Sequence, residues 1–184
     1  ATLATLLREQ GYATAAFTEC EGQTANKLAY GTGFEQGFEL YDPSFHPAPT
    51  SPDESAAAAH TLDKARAWIE AHADDRFDVF VRLHELDKPQ WHERYAPGLV
   101  SESTTPNPAD IYDSALAYVD THIGQLVDSV RGDPASRDTA IIITSTYGLD
   151  AEQTPRLTEE CLRVPLLLDL PAGRQVEEDE KDLK

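Results

Sequence analysis

Methionine is absent from this 184-residue chain, and cysteine, tryptophan and lysine are scarce. The two cysteines, Cys20 and Cys161, cannot build a disulfide framework in a chain this long, and they fit no C-x-x-C metal pattern. Each is expected to sit buried as a small hydrophobe. No apolar run approaches the length that spans a bilayer, so membrane insertion is not expected. No charged-then-apolar leader opens the chain; ATLATLLREQ reads at once as helix. With no initiator methionine, the expectation is an excised portion, with a segment missing before Ala1. Positive charge is also short against negative. Five Lys and ten Arg face 33 Asp and Glu, a net charge of -18. Such a surface repels nucleic acid phosphates and anionic lipid heads, so neither is an expected partner. The acidity is either a solvated surface or an adaptation to high salt, where screening relieves self-repulsion. Its dispersal and the shortage of Lys favour the second.

What is present is an ordinary globular composition, 40% hydrophobic, long enough for one domain with a sizeable core. Leu3, Leu6, Leu7 and Gln10 have helical spacing, and Gly11 supplies the stop. YATAAF at 12–17 reads as a short strand, and the Gly-, Pro- and aromatic-rich 18–50 as a long irregular connection. Ser51, Pro52 and Glu54 form an S-x-x-E capping box for a helix whose stripe is Ala58, Leu62, Ala65 and Ile69. FDVFVRL at 77–83 is a strand, and 86–108 a polar, Pro-rich loop. Tyr112, Ala115, Val119, Ile123, Leu126 and Val130 mark a long helix over 109–131. TAIIITS at 139–145 and VPLLLDL at 164–170 are continuous apolar runs, of the kind found inside a parallel sheet. This alternation predicts a layered α/β/α domain over 1–173 with a mostly parallel sheet, followed by an acidic, disordered tail at 174–184.

In such folds the chemistry lies on loops at the carboxyl ends of the strands. The loop HELDKPQWH at 84–92 holds His84, Glu85, Asp87 and His92. These are candidates for acid–base work or metal ligation, although their spacing is not that of a closed zinc site. The spacing favours the plainer reading, a polar loop whose His residues cap or hydrogen-bond locally. In TSTYGLDAE at 144–152 the hydroxyls and the phenol are poor divalent-metal ligands. Asp150 and Glu152 are the carboxylates there, and a Ser145–His84 pairing is not expected. In TECEGQ, Glu19 and Glu21 flank Cys20 and disfavour its thiolate. GTGFEQG at 31–37 has the wrong spacing for a dinucleotide loop.

Six segments, in order, resemble the sulfatase family of the alkaline phosphatase superfamily. TLATLLREQGYATAAF at 2–17 is similar to the helix and G-Y-x-T-A strand that follow the family's nucleophile. GFEQGFELYD at 33–42 resembles G-F-D-x-G-F-D-x-Y-D, and FDVFVRLHELDKPQW at 77–91 the strand ending in H-x-x-D-P-H-x-P-Y. YDSALAYVDTHIGQLVDSV at 112–130, DTAIIITSTYGLDAE at 138–152 and EECLRVPLLLDLPA at 159–172 resemble the family's later helix, its T-S-D-H-G-E strand and its R-V-P-L-I-I strand.

The resemblance implies a large α/β sandwich, a divalent cation, and a formylglycine made from Cys or Ser in C-x-P-S-R or S-x-P-S-R. No C-x-P-S-R occurs here, and the nucleophile and first Asp pair would lie upstream of Ala1. The metal- and sulfate-binding Asp and His of T-S-D-H-G-E are replaced by Thr146 and Tyr147, and Leu149 stands where the acid would be. His84 and Asp87 survive as candidate catalytic residues, while Pro89 replaces the substrate-facing His. The family's anion-binding Lys and His fall near Glu19 and Glu21.

The expectation is therefore a sulfatase-like domain without catalysis of its own, serving a structural or interaction role, with no cofactor. Its partner would be another protein or the missing N-terminal segment. The alternative is a fragment of an active sulfuric or phosphate ester hydrolase, with Ca²⁺ or Mg²⁺ and ligands supplied upstream. An unrelated small doubly wound domain is a third reading. Oligomeric state and location, cytoplasmic or exported, stay open.

Overall fold

The computed structural model describes residues 1–20, 31–45, 57–96, 98, 106–146, 148 and 159–171. Contacts divide the chain into two units, Ala1–Ser136 and Arg137–Lys184.

The first unit opens with α1 (Leu3–Glu9), where the Thr2 hydroxyl accepts from the Thr5 N–H and caps the helix. Gly11, at a φ of 78°, turns the chain out of it. β1 (Ala13–Cys20) follows and pairs in parallel with β2 (Leu40–Phe45) on one side and β3 (Phe77–Arg82) on the other. The order β2-β1-β3 makes β1 central, and residues Thr14 to Glu19 are all buried. This explains a strand of small residues with no polar/apolar alternation: both its faces are covered.

β2 lies inside the stretch expected to be irregular. Pro43 hid it, because proline cannot donate to a ladder; it is tolerated here because β2 is at the edge of the described sheet. The preceding loop is held closely. The Thr14 hydroxyl donates to the Gly37 carbonyl, and Phe34 and Phe38 pack on Phe80 of β3 at 5.6 and 6.4 Å.

The opposite face of the sheet carries α2 (Ala57–Ala71). Its buried stripe is Ala58, Thr61, Leu62, Ala65 and Ile69, which includes all four positions expected from the spacing. Ala65 packs with Ala15 and Phe17, and Trp68, Val79 and Val81 complete that cluster. Burying Leu62 and Ile69 contributes on the order of 2 kcal/mol each. The proposed capping box at 51–54 lies outside the described residues.

α3 (Pro108–Gly132) is the longest helix. Asn107 caps it, Pro108 occupies its first turn and Asp110 closes a capping box. A second cluster joins α2 to α3 through Ala58, Tyr118 and Val119, with Leu83, Leu86 and Tyr95 around it. No helix of the described residues is long and apolar enough to cross a membrane.

The second unit contains β4 (Ile141–Thr144), α4 (Glu159–Leu162) and β5 (Leu166–Asp169). Here the structure departs from expectation: β4 and β5 pair antiparallel, and Ile142 and Leu166 are each 65% exposed. An apolar run marks a strand but carries no information on the direction of its partner. Cys161, expected to be buried, is half-buried. The side chain of Cys20 and the tail at 174–184 lie outside the described residues.

Candidate functional site

The polar groups of the first unit gather where β1 and β3 end. Alternation along β1 puts Glu19 on the same face as Ala15 and Phe17, under α2. Glu19 is only 4% exposed. Its Oε2 accepts the His84 N–H at 2.5 Å, just beyond the last residue of β3. Its Oε1 is buried with no hydrogen-bond partner among the described residues.

Burial is the main influence on this carboxyl and pushes its pKa up from 4.5 to about 7. The His84 backbone contact opposes the rise, the Glu85 charge adds to it, and Arg82 and the Glu85 backbone oppose it again.

After β3 the chain makes two single turns of 3₁₀ helix, Glu85–Asp87 and Glu93–Tyr95. The first brings the two surviving candidates together: His84 Nδ1 contacts Asp87 Oδ2. The Arg82 guanidinium lies 3.6 Å from the same oxygen. Both candidates are partly exposed, as an approachable pair must be.

The other two polar residues of the loop form a separate, interior pair. His92 Nε2 lies 3.0 Å from Glu85 Oε1, with side chains 7% and 4% exposed. The His92 ring stacks on Tyr118 of α3 at 4.0 Å and an interplanar angle of 8°. The His92 N–H donates to Ser114 Oγ, which in turn donates to the Ile111 carbonyl. The Tyr118 hydroxyl accepts the Ala59 N–H of α2 at 3.0 Å, and burial raises the phenol to about 12. Tyr95 pairs with His122 Nε2 at 3.3 Å. These contacts tie loop 84–95 to both helices, so His92 and Glu85 are placed to brace the loop.

The sequence pointed to His84, Glu85, Asp87 and His92 but not to their division into two pairs. Nor did it single out Tyr118, which shares the apolar spacing of a helix core and betrays its role only through its phenol.

Of the residues at the family's metal positions, Thr146 is exposed in the second unit, and Tyr147 lies outside the described residues, as do Glu21, Leu149, Asp150 and Glu152. No three His, Cys, Asp or Glu side chains among the described residues converge to hold a metal ion. His84 and Asp87 give a divalent cation one nitrogen and one carboxylate, short of the six or more oxygens that Ca²⁺ takes.

The family model described as Sulfatase matches residues 1–182. No curated protein matches the chain significantly. Several solved structures share its fold. One is the C-terminal periplasmic domain of EcEptC from Escherichia coli in complex with Zn, with a TM-score of 0.69 at 17% identity over 94% of this chain and 52% of that one. Another is the lipoteichoic acid synthase LtaP from Listeria monocytogenes, with a TM-score of 0.69 at 14% identity, covering 92% of this chain and 46% of that one. A third is a protein in the alkaline phosphatase superfamily from Vibrio parahaemolyticus, with a TM-score of 0.62 at 20% identity, covering 94% and 41%. The chain thus spans about half the length of the domains it resembles. The ordered motifs, the parallel sheet with its helices and the match along almost the whole length agree: the chain belongs to the sulfatase family.

Proposed function

We propose that this chain is a sulfatase-fold domain that does not itself hydrolyse sulfate or phosphate esters, and that it serves a structural or interaction role. The observation that carries the reading is Glu19. Where the resemblance assigns a cationic anion-binding group, this chain has a buried carboxyl tied to the β3 rim. A sulfate brought there meets a buried carboxyl that is neutral below about pH 7 and repels it above, instead of preorganised positive charge. Thr146 in place of a metal-binding Asp, and Pro89 in place of the substrate-facing His, point the same way.

A second reading keeps catalysis in a longer parent, with nucleophile and metal ligands contributed by other segments. Two observations favour it. His84 and Asp87 remain together at the sheet rim, and the chain spans half of a periplasmic domain whose structure is a complex with Zn. Under this reading the parent binds Ca²⁺, Mg²⁺ or a similar ion, and it is exported.

Isothermal titration separates the two. Sulfate, Mg²⁺ and Ca²⁺ are titrated into the full chain and into its parent, with NaCl to absorb diffuse binding to the acidic surface. The first reading expects no saturable, stoichiometric site in either. A one-to-one metal site in the parent that Asp87→Ala weakens by roughly tenfold or more establishes the second.

A further inference from the structure

The strand pair of the second unit has one face left open. Ile142 of β4 stands opposite Leu168 of β5, and Thr144 opposite Leu166. Residues directly opposite one another share a face of the pair. Ile142 and Leu166 are each 65% exposed, and Leu168 is 48% exposed. On the other face Ile141 and Ile143 are half-buried, and Asp169 stands opposite Ile141.

A strand pair that faces water carries polar residues on its wet side. Here the open side holds three aliphatic side chains, one threonine and no charge, in a chain that is 26% charged. Two strands by themselves are marginally stable and need a layer packed on them.

The first unit shows what this chain lays over a sheet: the stripe of α2, with Ala65 against Ala15 and Phe17. A helix covers a face, whereas an added strand takes an edge. Size argues against a second copy as the cover. β4 and β5 have four residues each, against roughly 20–30 residues a side in a stable interface, and each copy carries a charge of -18. A contact this small holds within one polypeptide, where docking loses no translational freedom. Polypeptide for the purpose exists in the domains that share this fold. They match 94% and 92% of this chain, yet only 52% and 46% of their own length is matched.

We propose that the open face of β4 and β5 is the docking site for an amphipathic helix of the same polypeptide, one that belongs to the part of the domain outside these 184 residues. Its apolar stripe lies on Ile142, Leu166 and Leu168. This holds whatever the rim of β3 does, so it stands or falls apart from the reading of catalysis.

The test compares the full chain with its longer parent, both with labelled Ile and Leu methyl groups, in the presence of a soluble gadolinium chelate. In the chain the Ile142, Leu166 and Leu168 methyls are expected to relax as fast as those of exposed Leu3. In the parent that enhancement should drop to the level of buried Leu62 and Ile69, and nuclear Overhauser contacts should join the three residues to a segment with helical chemical shifts. The double variant Ile142→Thr/Leu168→Thr gives an independent readout. It should lower the thermal midpoint of the parent by on the order of 5 °C, and that of the chain by no more than about 2 °C. Methyls already shielded in the chain alone, shielding that appears only as chain concentration rises, contacts to a strand or a loop, or equal exposure in chain and parent each overturn the proposal. So does a native protein with no sequence beyond these 184 residues.

Discussion

Glu19 is the residue on which the electrostatics of the rim turn. Its carboxyl is raised by burial from 4.5 to about 7, so between those values the folded chain holds a proton that the unfolded chain releases. The sign follows. The contribution to stability is fully present below about pH 4.5, is lost as pH rises through 7, and is flat beyond. The size is about 3 kcal/mol, from the shift and the free energy per pH unit. Asp78, also raised by burial, adds a slope of the same sign, so the comparison must be with a variant. Denaturant unfolding from pH 5 to 8 should show wild type losing stability while Glu19→Gln loses markedly less; parallel curves contradict the assignment. His92 tests the bracing pair. Replacing it with Leu leaves the Glu85 carboxylate buried without its imidazole and removes the stack on Tyr118. The expected cost is roughly 3 kcal/mol, read from the urea midpoint. A cost below about 0.5 kcal/mol, the level of an exposed polar position, shows that the pair does not hold the loop.

At the scale of elements, two positions make the packing testable. Gly37 has a φ of 101°, and a Cβ there falls 2.3 Å from the Thr5 backbone nitrogen of α1. Gly37→Ala must therefore part α1 from the loop that leads into β2. A loss of more than about 2 kcal/mol is expected, with the amides of α1 losing protection from hydrogen exchange first. Asn107→Ala removes one half of the α3 capping box and should cost about 1 kcal/mol.

The same elements show how far the chain could be read from its residues. α1, α2, α3, β1 and β3 were legible because their periodicity, caps and stops are local signals. β2 was not, because Pro43 and its glycine-rich approach mimic a loop, and edge pairing is a long-range fact. The direction of β4 against β5 was hidden for the same reason. At the site, the candidates on loop 84–92 could be named from their chemistry. The split into His84–Asp87 and Glu85–His92 depends on two short turns and on Tyr118 arriving from α3, which no spacing rule encodes.

For the whole molecule the dominant quantity is charge. A net charge of -18 makes compaction work against self-repulsion, which salt screens. If the acidity is an adaptation, the thermal midpoint should climb steeply with KCl across the molar range, and more steeply than with sucrose of matched osmolality. A flat or falling curve contradicts that adaptation.

Beyond charge lies the question of chemistry. The chain has the family's sheet and helices, and at their rim a closed carboxyl, a self-paired His84–Asp87 and an interior imidazole. The most direct measurement is turnover of an aryl sulfate and an aryl phosphate by the purified full chain, with Mg²⁺, Ca²⁺ or Zn²⁺ added and then removed by chelator. No rate above the metal-only control is expected at any pH from 5 to 9. A chelator-sensitive rate that His84→Ala or Asp87→Ala abolishes would mean that the rim still works as a catalytic site.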